Sequence, residues 1–194
     1  NQLIKIAAEK GVIIISDEVY KDYTFKKCKS ILEYNNCRSI FISSFSKSHS
    51  MTGFRIGYAI GSKDDISRMA SLESLALTSM PEFIQRSAIK ALECQDTVEK
   101  NVDTIHSRAM YLCDLLDDIS VEYYIPDGGF YVFPKINRSG FNSESFAINL
   151  LEKNHVSVTP GTAFGDFPNY LRISLCQPKE KIAEAVHRME DALR

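Results

Sequence analysis

The stretch SSFSKSHSMTGFRIGYAIG, residues 43–61, decides the fold and the chemistry that we predict. Within it, Lys47 lies among serines, and Arg55 stands at the head of an apolar segment. A lysine amine can condense with a carbonyl group, while serine hydroxyls and an arginine fork are donors that bind phosphate oxygens. The stretch therefore predicts a site for a carbonyl cofactor with a phosphate tail. The alternative is a flexible serine-rich loop, with Lys47 and Arg55 as hydrated surface residues.

Three short apolar segments predict the strands of one sheet around this stretch. They are VIIISDE (12–18), SIFISS (39–44) and RIGYAIG (55–61). Because the connections between them are longer than hairpin turns, the pattern favours a parallel, doubly wound sheet. Sites in such sheets lie at the carboxyl ends of the strands. We therefore expect Asp17 and Ser44, which follow two of these strands, to face one crevice.

The segment DEVY, residues 17–20, adds a second part of the predicted site. A carboxylate at the end of a buried strand is costly unless a cation or several donors meet it. A protonated pyridine nitrogen would be such a partner for Asp17, and Tyr20 could donate to a phenolate oxygen. The alternative is that Asp17 caps a turn and Tyr20 packs in the core.

Helical and strand patterns continue beyond the sheet. A helix is predicted over 64–77, with Ser62 and Asp65 as a weak capping box, and a longer helix over 81–118 with a possible break near Gln95. The elements predicted after it are strands VEYYI (121–125), FYVFP (130–134), VSV (156–158) and YLRISL (170–175), a helix at 143–153, and a terminal helix opened by Pro178. We predict a sheet domain at 1–80, a linking helix at 81–118 and a small α+β domain at 119–194.

Composition excludes several classes of protein. The chain has 194 residues, 44% of them hydrophobic, and a net charge of -2, which gives no broad basic surface for nucleic acid. Its apolar runs are far shorter than the ~20 residues of a membrane-spanning helix, and no signal peptide opens it. The five cysteines form no CxxC pair, and the four histidines show no ligand spacing. We expect a cytoplasmic protein without a membrane, nucleic-acid or metal site.

Five segments together, in this order, resemble a known family. They are ISDEVY (15–20), the stretch at 43–61, PDGGFYVFP (126–134), VTPGTAFG (158–165) and YLRISL (170–175). Their pattern is similar to that of the fold-type I, class I/II aminotransferases that use pyridoxal 5'-phosphate (PLP), in particular the aspartate and aromatic group. The resemblance implies an α/β fold with a doubly wound, mostly parallel sheet, a long linking helix and a small α+β domain.

The resemblance also implies roles for individual residues. Lys47 would form the Schiff base with PLP, Asp17 would pair with the pyridinium nitrogen, and Tyr20 would bond the ring hydroxyl. The residues implied for the phosphate are Ser44, Ser46 and Arg55. Those implied for the substrate are Arg172, which would bind the α-carboxylate, and Gly129 and Phe130, which would line the pocket.

The implied activity is transamination between an amino acid and a 2-oxo acid. A PLP-dependent β-elimination on the same fold stays open as an alternative, as does a regulator domain or an inactive fragment. Two departures from the family pattern matter. Phe54 stands where tryptophan is common, and the sequence has no counterpart of the amino-terminal half of a family member. We therefore expect the carboxyl-terminal portion of a homodimeric enzyme, with an exposed sheet edge and poor PLP binding, which is inactive alone.

Overall fold

The computed structural model describes residues 2–194. Seven α-helices lie in this part of the chain: α1 (Gln2–Lys10), α2 (Phe45–Ser48), α3 (Lys63–Leu77), α4 (Glu82–Ala91), α5 (Gln95–Asp118), α6 (Ser143–Asn154) and α7 (Lys179–Leu193). The strands are β1 (Ile14–Asp17), β2 (Ser39–Ser44), β3 (Gly57–Ile60), β4 (Tyr131–Val132), β5 (Thr159–Pro160) and β6 (Leu171–Ser174). The chain forms two compact units, the first ending at Val102 and the second running Asp103–Arg194.

The predicted helix starts are confirmed by their caps. The Ser62 hydroxyl accepts from the backbone N–H of Asp65 at 3.2 Å and donates to the Asp65 carboxylate at 2.6 Å, so α3 begins where the capping pattern predicts. Arg38 also donates to Asp65, which lowers the pKa of that carboxyl to about 2. Pro178 directly precedes α7, in a position that needs no intrahelical N–H bond.

The first unit contains a three-stranded sheet in the order β1-β2-β3. β1 and β2 are parallel, as predicted, but β3 is antiparallel to β2. The prediction of a third parallel strand is wrong. A crossover between parallel strands is usually an α-helix that runs back along the sheet. Residues 45–56 contain only α2 and a 3-10 turn at Thr52–Phe54, so the chain turns back along β2.

The predicted burial of the first strand is also wrong, because β1 is covered on one face only. Ile15 is 65% exposed, while Ile4 of α1 packs in a cluster with Ile31 and Phe41. Within the described residues, β1 and β3 each pair with β2 alone, so each leaves one edge of this sheet unpaired. An exposed sheet edge was expected from the sequence.

The long helical pattern after the sheet is divided in two, at 92–94, close to the predicted break. α4 packs its small residues Ala88 and Ala91 against Phe45, which follows β2, and Ile56, which precedes β3. α5 then begins at Gln95 with Asp96 in its first turn, where a negative charge interacts favourably with the helix dipole and stabilises the helix.

The second unit contains a small antiparallel sheet in the order β4-β6-β5. The helices at 143–154 and 179–193 confirm the predictions for this region, but the strand at VSV (156–158) is wrong, because β5 follows it at Thr159. The predicted strand at VEYYI (121–125) is wrong as well. Residues 121–125 make one bridge, between Glu122 and Lys135, and β4 pairs with β6 instead.

The core of the second unit is aliphatic. Its most deeply buried side chains come from α5, α6, β6 and α7, and they include Leu112, Leu116, Leu150, Leu171, Leu175 and Met189. α6 lies against α7 and β5. The domain limits of 1–80, 81–118 and 119–194 stay a prediction. The two compact units describe how the chain packs and do not define its domains.

Candidate active site

One end of the first sheet brings together side chains that lie far apart in the sequence. β1 ends at Asp17, and the parallel β2 ends at Ser44, where α2 begins and carries Lys47. β3 runs the opposite way and starts with Gly57 opposite Ser44, so Arg55 enters at this same end. This is the sheet edge at which sites in open α/β sheets form.

A serine cap starts the short helix that carries the lysine. The Ser44 hydroxyl accepts from the backbone N–H of Ser46 at 3.2 Å, and the Ser48 hydroxyl donates to the Ser44 carbonyl at 3.4 Å. Lys47 is half-buried, and its Nζ lies 5.8 Å from the centre of the Tyr20 ring. The serines therefore shape a defined turn, which argues against a flexible loop.

The DEVY segment differs from the prediction in its burial. Asp17 is exposed, and its Oδ1 accepts from the backbone N–H of Val19 at 3.2 Å, which is the turn-capping contact left open as the alternative. Tyr20 is 37% exposed and does not pack in the core. A carboxylate at the end of an edge strand needs no buried counter-ion, since water reaches it. Asp17 and Tyr20 are thus accessible to a ligand.

Arg55 lies outside the strand at whose head it was predicted. Its backbone is left-handed, with φ 53°, and its Nη1 donates to the Thr52 carbonyl at 3.2 Å. Thr52 in turn donates to the Ser46 carbonyl at 3.0 Å, which ties the loop to α2. The guanidinium therefore stands exposed beside the serine turn, with donors left for an anion.

Glu18 anchors this end of the sheet, and sequence reasoning missed it. Its Oε1 accepts from the Ser16 hydroxyl at 3.0 Å and from the backbone N–H of Ile31 at 2.7 Å. Its side chain is only 10% exposed, and the Lys21 ammonium lies 3.8 Å from Oε2. Glu18 therefore ties the end of β1 to the turn at Ile31. The position of Asp17 at the end of a strand is visible in the sequence, whereas Ile31, which donates to Glu18, lies 13 residues away.

Arg172 lies on β6 of the second unit, half-buried. Its guanidinium carbon is 4.2 Å from the centre of the Tyr131 ring and 4.8 Å from that of Phe164. Its Nη2 donates to the Thr159 hydroxyl at 3.2 Å. Within residues 2–194, no carboxylate forms an ion pair with it. A half-buried cation without a counter-ion is a suitable binding point for a carboxylate ligand.

Gly129 and Phe130 precede β4 in the same unit. Gly129 has φ +77°, a conformation that favours glycine, and no atom lies within 4 Å of the position that a Cβ would occupy there. The Phe130 ring contacts that of Tyr131 at 4.8 Å, and its carbonyl accepts from the backbone N–H of Leu175 at 2.9 Å. Phe130 therefore lies beside the ring that contacts Arg172.

Cysteine and metal chemistry find no support in the described residues. All five cysteines are free thiols, and Cys113 is buried, which raises the pKa of its thiol and keeps it unreactive. Across residues 2–194, no group of three His, Cys, Asp or Glu side chains could hold a metal ion. Nor does any helix in that range have the length and apolar character to cross a membrane.

Comparison with known proteins identifies the family. The model of the family "Aminotransferase class I and II" matches residues 1–189, and the chain belongs to this family. An aspartate aminotransferase of Thermococcus kodakarensis is 38% identical over 174 residues, which cover 89% of this chain and 46% of that protein. A transaminase of Methanocaldococcus jannaschii, named for (5-formylfuran-3-yl)methyl phosphate, is 34% identical over 99% of this chain and 53% of its own length.

Solved structures agree with this assignment. An aromatic aminotransferase of Pyrococcus horikoshii matches with a TM-score of 0.90 and 32% identity, and the match covers 99% of this chain and 54% of that one. An aspartate aminotransferase of Thermotoga maritima matches with a TM-score of 0.89 and 34% identity, over 98% of this chain and 50% of its own. This chain therefore spans about half the length of the relatives that it matches.

Proposed function

We propose that this chain is the lysine-bearing part of a PLP-dependent aminotransferase, which transfers an amino group between an amino acid and a 2-oxo acid. One observation carries the proposal. The sheet end gathers an amine, a carboxylate, a hydroxyl and a guanidinium, from Lys47, Asp17, Ser44 and Arg55. Membership in the aminotransferase family supports it. A homodimer would be the active assembly of the whole enzyme.

The donor set fits PLP, which combines a phosphate, an aldehyde and a pyridine ring. The phosphate would be held by Ser44, Ser46 and Arg55, whose hydroxyls and guanidinium are hydrogen-bond donors. The ring nitrogen would donate to Asp17, whose Oδ2 remains for a ligand while Oδ1 accepts from Val19. When bound, PLP supplies a carbonyl carbon for the substrate amine and a ring that withdraws electrons from the substrate Cα.

Lys47 has two roles in this proposal. It is the residue to which the cofactor would be attached, and its amine would then move the proton at the substrate Cα. The ring of Tyr20, 5.8 Å from Nζ, restricts where the ammonium can lie. The Tyr20 hydroxyl would donate a hydrogen bond to the phenolate oxygen on the pyridine ring of the cofactor. A proton-transfer group held near its target in this way gains from proximity.

Arg172 would bind the α-carboxylate of the substrate. A guanidinium and a carboxylate form two parallel hydrogen bonds, which fixes the orientation of the substrate as well as its position. That orientation selects the bond at Cα that is broken, and so favours proton removal over loss of the carboxylate. Gly129 and Phe130 would lie along the substrate.

The proposal is tested by a single-turnover transfer, which needs only one reaction per chain. Because several relatives are aspartate aminotransferases, ¹⁵N-aspartate is the first donor to use. The whole enzyme that contains this chain is mixed with PLP and this donor, and we expect ¹⁵N in the amine form of the cofactor, measured by mass spectrometry. Lys47→Ala gives the uncatalysed background, and Lys63→Ala is the control on an exposed lysine.

Two outcomes would contradict the proposed transamination. Release of ¹⁵N-ammonia and sulfide from ¹⁵N-cysteine, which unlike aspartate carries a leaving group at Cβ, without amination of the cofactor would indicate an elimination reaction on the same fold. Transfer at the same rate in wild type and Lys47→Ala, with aspartate and with a panel of other amino acids, would show that Lys47 takes no part.

A further inference from the structure

Two aromatic rings contact the guanidinium of Arg172, and neither has a role in the function proposed above. The guanidinium carbon lies over the Tyr131 ring at 4.2 Å and over the Phe164 ring at 4.8 Å. Both distances are within the range in which a cation is attracted to the face of an aromatic ring. We propose that Tyr131 and Phe164 are positioning residues, which hold Arg172 so that it binds a planar carboxylate edge-on. This inference rests on the proposed role of Arg172.

The rings leave the hydrogen-bonding capacity of Arg172 intact. A ring face attracts the cation through its quadrupole, so the five N–H donors in the guanidinium plane stay available. Thr159 accepts from Nη2 at 3.2 Å, and within residues 2–194 no other hydrogen bond or ion pair forms to this guanidinium. A salt bridge would hold the arginine equally well, but it would occupy the edge that a ligand needs. The rings position the guanidinium without competing for the carboxylate.

Phe164 is itself held in place by other rings. It packs edge-on against Phe133 at 5.9 Å, and Phe133 stacks on Tyr170 at 5.0 Å with an interplanar angle of 15°. Phe164 ends the turn Gly161–Phe164, which lies beside β6 because the backbone N–H of Gly161 donates to the Tyr170 carbonyl at 2.7 Å. Although 45% exposed, Phe164 therefore has a defined position. An exposed aromatic ring supported in this way suits contact with a ligand site.

The neighbouring Phe167 offers a matched control. It belongs to the same aromatic cluster, packing edge-on against Phe133 at 5.7 Å, and it is 41% exposed. In the described structure its ring makes no cation–π contact with Arg172. A change that acts through the packing of the cluster should therefore follow from both phenylalanines, whereas a change in the position of Arg172 should follow from Phe164 alone.

The test follows the Nε–H signal of Arg172 by ¹H–¹⁵N NMR in the 194-residue chain, with pyruvate as the carboxylate. Arg172→Lys assigns the signal by removing it. In wild type we expect pyruvate to shift this signal. In Phe164→Leu we expect the Arg172 signal to have a different chemical shift before pyruvate is added, because the ring current of Phe164 is lost. We also expect pyruvate to bind about three- to tenfold more weakly. Phe164→Tyr should restore wild-type binding, and Phe167→Leu should leave it unchanged. Tyr131→Leu should weaken binding as Phe164→Leu does, with Tyr131→Phe restoring it.

The outcomes separate this inference from the proposed function. If pyruvate shifts the Arg172 signal with equal affinity in wild type, Phe164→Leu and Tyr131→Leu, the positioning role is wrong while the carboxylate site stands. If Phe167→Leu weakens binding as much as Phe164→Leu does, the effect belongs to the cluster and the inference is overturned. If pyruvate does not shift the Arg172 signal in wild type, the proposed role of Arg172 is wrong, and the positioning role falls with it.

Discussion

Gly161 gives the most quantitative prediction, because the chain passes very close to itself at this residue. A Cβ added at Gly161 would lie 2.3 Å from the carbonyl oxygen of Phe167 and 2.7 Å from that of Tyr170. Both neighbours are backbone atoms, which cannot move as a side-chain end can. Overpacking of this kind costs about 1–3 kcal/mol. Since the N–H of Gly161 would also be pushed from the Tyr170 carbonyl, a further loss of about 1 kcal/mol is expected.

We therefore expect Gly161→Ala to lower the free energy of unfolding by about 2–4 kcal/mol. The measurement is urea unfolding followed by far-UV circular dichroism. Gly53→Ala is the matched control, because nothing lies within 4 Å of its Cβ position and its φ is not in the left-handed region. The control should change the unfolding free energy by no more than about 1 kcal/mol. A Gly161→Ala chain as stable as wild type would refute the close approach of the turn to Tyr170.

Three further predictions concern stability. Arg38 and Ser62 donate to Asp65 and hold the pKa of its carboxyl at about 2, below its ordinary value of 3.8. The ionised carboxylate therefore stabilises the folded state fully above the ordinary pKa, and this stabilisation is lost as pH falls through about 2. The difference in Tm between wild type and Asp65→Asn should accordingly be constant at neutral pH and shrink between pH 3.8 and about 2; a difference independent of pH would argue against it. Asn142→Ala removes the side-chain oxygen that accepts from two N–H groups at the start of α6, and should cost about 1 kcal/mol in urea unfolding. Leu112→Ala, at a fully buried position, should cost about 2–5 kcal/mol, whereas the 85% exposed Leu75→Ala should stay within about 0.5 kcal/mol; equal effects would contradict the assigned core.

Local signals in the sequence predicted much of the fold. The limits of β2 at 39–44 follow from an apolar run between polar residues, and the start of α3 follows from the hydroxyl of Ser62 and the carboxylate of Asp65. Both signals act within a few residues, so no tertiary information is needed. The division of the long helical pattern near Gln95 was visible for the same reason.

The direction and pairing of strands were harder to predict. An apolar run looks the same whether its strand runs parallel or antiparallel. β3 is antiparallel because residues 45–56 contain no helix long enough to run back along the sheet. Likewise VEYYI reads as a strand, yet Tyr124 is 81% exposed and β4 finds its partner in β6, some forty residues later. Pairing of this kind depends on tertiary contacts.

The candidate site shows the same division. Lys47, Ser44 and Arg55 share one stretch, so their proximity could be predicted from spacing alone. The rings around Arg172 come from residues 131 and 164, and no local pattern links them to an arginine on another strand. The contact of these rings with the guanidinium depends on the tertiary arrangement of β4, β6 and the turn before Gly165.

In the proposed function, Lys47 is the residue to which PLP attaches. The most direct measurement is reduction of the chain with borohydride after brief exposure to a series of PLP concentrations, followed by peptide mass spectrometry of every lysine. We predict that Lys47 is modified at lower PLP concentration than the exposed Lys63, and that Asp17→Ala and Arg55→Ala raise the concentration needed at Lys47 without changing that at Lys63. Modification of Lys47 and Lys63 at the same concentration would contradict the claim.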